Sequence, residues 1–131
     1  MALIGNHDMP RFLSLVPDER LLDLALVLWL MLRGVPCLFY GTEQYLRNDT
    51  NGGQDPYNRP MMESWDDSSC SFVLVKTLVS RSEGNQPLAF GAHQTAWVNK
   101  SFWLYTCNLR DSAVVVLNCE ESDYVADVET I

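Results

Sequence analysis

Three short stretches hold the side chains able to do chemistry. Asn6-His7-Asp8 sets an amide, an imidazole and a carboxylate in a row, and Asp55-Pro56-Tyr57-Asn58-Arg59 packs a carboxylate, a phenol, an amide and a guanidinium into five positions. Glu43 follows a second apolar run. A carboxylate beside an imidazole serves as a catalytic acid or base, as a metal ligand, or as a turn held by its own hydrogen bonds, and the triplet alone leaves all three open. The longer stretch carries the donors and acceptors that sugar hydroxyls require, with Tyr57 as a stacking face. Its alternative is an internal Asp55–Arg59 ion pair that only holds the loop in shape. Trp65, Trp97 and Trp103 are sugar platforms or packing residues, and Glu43 is a ligand group or a structural acceptor.

Several chemistries are set aside by what the chain lacks. A His-Asp metal hydrolase needs further imidazoles, and the chain's other histidine, His93, stands far along the sequence in a different texture. No G-x-S-x-G elbow supports a serine nucleophile. The four cysteines, Cys37, Cys70, Cys107 and Cys119, form no C-x-x-C pair and no metal-ligand spacing. Cys37, in an apolar run, reads as a buried thiol, while Cys107 and Cys119 fall where neighbouring strands could bring them together.

The elements that must position these residues follow from patterning. Ala2 to Asn6 is a short apolar run that empties into a polar cluster, as a buried strand does on reaching a loop. Pro17, Asp18 and Glu19 open a helix, with the acids at the positive end of its dipole. Leu21 to Leu32 is apolar all round except for Asp23, so this helix requires cover on most sides. Gly34 suits a left-handed cap and Pro36 prevents continuation. Val35 to Tyr40 reads as a second buried strand. Strand, helix, tight turn and strand make a parallel βαβ unit whose repeat, from Asn6 to Val35, is 29 residues. That matches one-eighth of a (β/α)8 barrel of about 250 residues, and an open doubly wound sheet equally well.

Leu46 to Asp67 is a polar loop of a length that is commonly functional. Ser69 to Arg81 reads as a helix. Beyond Leu88 the runs Ala89–Gln94, Phe102–Cys107 and Ala113–Asn118 read as antiparallel strands, separated by turn signals at Asn99-Lys100 and Arg110-Asp111-Ser112. The division between the two textures falls near Gly84–Pro87. Two parallel strands and a thin antiparallel sheet leave the leucine-rich helix short of partners within 131 residues. The chain therefore reads as a piece of something longer, with heavy oligomerisation as the alternative.

Composition bounds the partners. Nine basic against 17 acidic side chains give a net charge of −8, while 47% hydrophobic and 20% charged residues are ordinary for a globular domain. An acidic chain is repelled by phosphate backbones and by anionic membrane surfaces, so neither nucleic acid nor membrane is expected as a partner. No run approaches the ~18 apolar residues of a membrane span, and the first residues do not read as a secretory signal. Glu120 to Ile131 carries five acids and no base, in the manner of a solvated tail.

Three motifs in order carry a family resemblance. Leu3-Ile4-Gly5-Asn6-His7-Asp8 resembles the fourth short sequence region of the α-amylase family, glycoside hydrolase family 13. Gly34-Val35-Pro36 running into Phe39-Tyr40-Gly41-Thr42-Glu43-Gln44 resembles that family's eighth barrel strand. Asp55-Pro56-Tyr57-Asn58-Arg59 is similar to the sugar-binding loop of its cyclodextrin glucanotransferase and maltogenic amylase branch. The resemblance spans roughly residues 2–100. It implies an α/β fold: residues 1–85 as strands 7 and 8 of the (β/α)8 TIM barrel with their helices, and 86–131 as the start of an antiparallel β-sandwich C domain.

By the same resemblance, Asp8 is the third carboxylate of the catalytic trio and steadies the transition state, with His7 sharing its sugar contact. Asn6, Asp55 and Arg59 are substrate-binding residues. The implied partner is an α-glucan or maltooligosaccharide. The nucleophile, the general acid and the calcium ligands of the family lie upstream of Met1, so this chain is expected to hold no metal or cofactor and, in isolation, to be inactive. The missing N-terminal barrel half belongs to the parent protein, for which an extracellular location is implied. Leu3 departs from the family, standing where an aromatic residue is common. The competing readings are a non-catalytic glucan-binding or structural fragment and a doubly wound domain with an unrelated ligand.

Overall fold

The computed structural model describes residues 2–120. Four helices precede a three-stranded sheet: α1 (Phe12–Leu15), α2 (Glu19–Met31), α3 (Cys70–Ser82) and α4 (Gln86–Phe90), then β1 (Ala92–Val98), β2 (Phe102–Asn108) and β3 (Ser112–Asn118). Short 3-10 turns at Thr42–Gln44 and Thr50–Gly53 punctuate the region between α2 and α3. The strands are consecutive antiparallel neighbours in the order β1-β2-β3.

Helix α2 is the scaffold. Asp18 caps it by accepting from the Arg20 amide at 3.0 Å, and the Arg20 guanidinium sits 3.0 Å from the same carboxylate. Those hydrogen bonds hold the Asp18 carboxyl below its usual range. Leu22, Leu26 and Trp29, spaced as one helical face, are buried with Leu13 beside Ala2, Ile4 and Tyr45. The C-terminal end turns the other way. Met31 joins Tyr105, Cys107, Val115 and Leu117 of the sheet, with Leu78 of α3 packed alongside. One helix thus serves two cores, one under the polar loops and one under the sheet, as its apolar girth requires. Helix α3 is tied back by Ser69. Its hydroxyl accepts from the Phe72 amide as a cap and donates to the Glu43 carbonyl at 3.2 Å.

The two buried parallel strands expected from the apolar runs do not form. A single parallel bridge joins Ala2 and Pro36: the Ala2 amide donates to Val35 O at 3.0 Å and the Cys37 amide to Ala2 O at 3.1 Å. The Trp29 indole also donates to Ala2 O. Side chains expected inside are outside: Val35 is 71% exposed, and Leu3, Leu38 and Tyr40 are open as well. Cys37 is exposed, not a buried thiol. Parallel strands persist only with neighbours on both edges and cover on both faces, and the described residues supply neither.

The run Ala89–Gln94 is divided, Ala89 and Phe90 ending α4 and β1 starting at Ala92, because Asn85 caps a short helix by accepting from the Leu88 amide. Strands β2 and β3 match their expected runs to within a residue. Cys107 faces Ala113 across the sheet, whereas Cys119 bonds through its amide to Ser101 at the opposite end, so these two do not meet, and all four thiols are free. Among the described residues no helix is long and apolar enough to cross a membrane.

Apolar side chains left open along Val35–Tyr40 predict sticky behaviour for the chain when produced alone. It is expected to bind an environment-sensitive hydrophobic dye and to self-associate in sedimentation. A dye-silent monomer with a cooperative melt would contradict the exposure of this surface.

Candidate functional site

The first and second chemistry-bearing stretches meet, 47 or more residues apart in sequence. Both are loops, so each needs outside support, and one buried amide supplies it. Asn58 is fully buried. Its Nδ2 donates to His7 O at 2.6 Å and to Met9 O at 3.0 Å, the carbonyls on either side of Asp8. The amide that the motif offers to sugar hydroxyls bonds through both N–H groups to the backbone instead. A buried polar side chain costs free energy unless it is hydrogen-bonded, and both Asn58 N–H groups are, while its Oδ1 has no protein partner.

Arg11 continues the support. It is 3% exposed, its Nε donating to Asn58 O at 2.9 Å and its Nη1 to Tyr40 O. The guanidinium lies over the Phe39 ring at 4.1 Å and the Tyr40 ring at 4.6 Å, a stacking that suits its flat, weakly hydrated cation. Burial lowers the Arg11 pKa by desolvation, and Tyr40 and Glu43 oppose that shift. Glu43 is itself buried, its Oε1 accepting from the Gly41 amide at 3.3 Å and its Oε2 without a protein partner. Gly41 is required there. It adopts φ +76°, and a Cβ would fall 2.6 Å from Leu46. Nothing in the sequence reading singled out Arg11. The available signal was a cation three residues after Asp8, directly before an apolar stretch.

Above this buried layer the exposed groups converge. The Arg59 guanidinium lies 2.8 Å from Asp55 Oδ1 and 3.4 Å from Asp8 Oδ1, and its Nε donates to His7 O at 2.9 Å. His7 Nε2 is 3.3 Å from Asp8 Oδ2. Asn6 turns inward on its own loop, Oδ1 accepting from the Asp8 amide at 2.8 Å. Asp8, His7, Asp55 and Arg59 therefore form one cluster, while Asn6 shapes the turn beneath Asp8. The Asp55–Arg59 ion pair weighed as an alternative is present, and it sits within this cluster. Side-chain exposures of 63% for His7 and 68% for Asp8 make this an open rim. Tyr57 is exposed beside it. The tryptophans lie elsewhere: Trp65 packs edge-on against Phe72, Trp103 lies by the sheet core, and Trp97 is on β1. Among the described residues no three His, Cys, Asp or Glu side chains converge to hold a cation.

Comparison with known proteins matches residues 1–116 to the Alpha amylase catalytic domain. The chain belongs to the α-amylase family. The cyclomaltodextrin glucanotransferase of Bacillus licheniformis is 37% identical over 116 residues, covering 88% of this chain and 16% of that enzyme. An α-amylase of Niallia circulans is 34% identical, over 88% of this chain and 21% of its own length. Among solved structures, CldA, described as a cyclomaltodextrin glucanotransferase with a three-domain ABC distribution, superposes with a TM-score of 0.86 at 43% identity, over 88% of this chain and 24% of its own. The maltogenic amylase of S. marinus superposes with a TM-score of 0.80 at 27% identity, over 96% and 18% respectively. The chain thus spans about a sixth to a quarter of these α-amylase family relatives.

Arg11→Lys tests the buried layer. Lysine keeps one charge but cannot reach Asn58 O and Tyr40 O together while lying flat against two rings. The expected loss is about 1.5–3 kcal/mol of stability, read as a shift in denaturant midpoint. A loss below about 0.5 kcal/mol, the range of ordinary surface changes, would contradict the role given to Arg11.

Proposed function

We propose that this chain is the carboxyl-terminal part of the catalytic barrel of a retaining α-1,4-glucan hydrolase or transglycosidase. In this reading residues 1–85 contribute strands 7 and 8 with their helices, and 86–131 begin a β-sandwich C domain. The observation that carries it is the convergence of Asp8, Arg59 and Asp55 from two separate loops onto one open rim. The family match over 1–116 supports the same reading. The relatives' names specify the substrate class, α-glucans, for those enzymes, and it is carried to this chain as part of the proposal.

The chemistry follows from the groups present. Cleavage of a glucosidic bond passes through a flattened, oxocarbenium-like ring, and the ring hydroxyls next to the reacting carbon become stronger hydrogen-bond donors as charge develops. Asp8, with His7 beside it, accepts from the 2- and 3-hydroxyls. Those bonds tighten at the transition state and contribute several kcal/mol. Asp55 and Arg59 hold glucose units further along the donor side and act on binding. The nucleophile and the general acid, with carboxyl groups ~5–5.5 Å apart in a retaining enzyme, come from the upstream part of the parent protein. Calcium, where the parent holds it, is bound by upstream residues too. The open Val35–Tyr40 surface then packs against the rest of the barrel.

In the intact enzyme carrying this chain, Asp8→Asn is expected to lower kcat on soluble starch roughly 10²–10³-fold. Arg59→Ala should raise KM more than it lowers kcat. The 131-residue chain alone should release no reducing sugar. Near-normal turnover by the Asp8 variant, or starch hydrolysis by the isolated chain, would contradict the proposal. Heat of maltoheptaose binding by the isolated chain without hydrolysis would favour a non-catalytic glucan-binding fragment.

A further inference from the structure

We infer that Asn58 is a positioning residue that acts through Asp8, an inference that rests on the reading of Asp8 as the sugar-contacting carboxylate. Asp8 stands on an exposed loop whose strand does not continue into regular structure, and within its own segment Asn6 Oδ1 accepts from the Asp8 amide. Buried support comes from the peptide on either side. The carbonyl before Asp8 and the carbonyl after it are both captured by the two N–H groups of a single Nδ2, at 2.6 and 3.0 Å, from a side chain with no exposed surface. Two donors at one atom, spanning a three-residue arch, set the height and tilt of the arch together. The Asp8 carboxylate projects from its middle.

Residue type is decisive. A carboxylate at position 58 would set acceptors against two carbonyl oxygens, and an alkyl side chain would leave the Met9 carbonyl without that bond, while His7 O keeps the Arg59 donor. Arg11 holds Asn58 in turn, through its main-chain oxygen at 2.9 Å, and carries the link on to Tyr40 O. The support therefore runs from the aromatic pair Phe39–Tyr40, through Arg11 and Asn58, to the carbonyls flanking Asp8. Misplacement of a reacting group by about 1 Å costs on the order of 10²-fold in rate, and this chain of contacts is what opposes it.

The test is a double-mutant cycle in the intact enzyme, with kcat on soluble starch as readout: wild type, Asn58→Ala, Asp8→Asn and the double variant. Asn58→Ala is expected to lower kcat roughly 100-fold with the Asp8 carboxylate present, and less than about threefold in the Asp8→Asn background. A role confined to general stability would lower kcat by the same factor in both backgrounds, and that result overturns the inference. So does an unchanged kcat in the single Asn58 variant. If Asp8→Asn alone keeps normal turnover, the proposed function fails and this inference with it, whereas equal factors on an impaired Asp8→Asn background remove only the present one. Should Asn58→Ala not fold, Asn58→Gln replaces it in the cycle. Gln retains both N–H groups on a stem one methylene longer, with an expected drop of about tenfold that again disappears without the carboxylate. Equal factors, or no drop, overturn the inference there too.

Discussion

Two hydrogen bonds from one buried amide hold the site together. Without Asn58 Nδ2 on the carbonyls of His7 and Met9, the residues around Asp8 would be tied to the Asp55–Arg59 loop by Arg59, an exposed side chain in screened solvent, and the segment's one buried tie would be Arg11 on Asn58 O. Exposed ion pairs of that kind are worth little. A satisfied donor in a dry setting is worth more, because losing it strands a carbonyl. The exposed cluster stands on the layer beneath it, where the Arg11 guanidinium lies over the Phe39 and Tyr40 rings and donates to Asn58 O while Asn58 Nδ2 holds the carbonyls flanking Asp8.

That layer rests on α2. Leu22, Leu26 and Trp29 seat the segment around Ala2 and Ile4, from which the Asp8 loop departs, while Met31 anchors the same helix to the sheet. The side of the molecule bearing Leu3, Val35 and Leu38 has no such seat. A groove of about 690 Å3 between α2 and the end of β3 includes none of the site residues.

Legibility in the sequence tracked how local each cause was. Helices α2 and α3 could be read because their caps, Asp18 and Ser69, and their apolar content are contained within a few turns. Strands β2 and β3 could be read because antiparallel neighbours and their turns are adjacent in sequence. The parallel strands could not. Their apolar runs are real, but pairing requires partners that the described residues lack, and a single bridge remains. Ala89–Phe90 misled for a related reason, since β-forming residues lost to a local cap at Asn85.

In the site, type and motif single out the exposed charges Asp8, Asp55 and Arg59, which the structure brings together. They do not single out Arg11 or the backbone bonds of Asn58. Burial converts an apparently solvent-facing polar residue into a strut, and burial is decided by contacts over about 50 positions that no local pattern encodes.

The most direct measurement is a crystal structure of the intact enzyme with a bound maltooligosaccharide inhibitor. The account predicts both Asp8 carboxylate oxygens within about 2.5–3.2 Å of adjacent ring hydroxyls. The Asn58 amide should stay on the His7 and Met9 carbonyls. An Asp8 carboxylate turned onto Arg59 and away from an occupied sugar ring would contradict it.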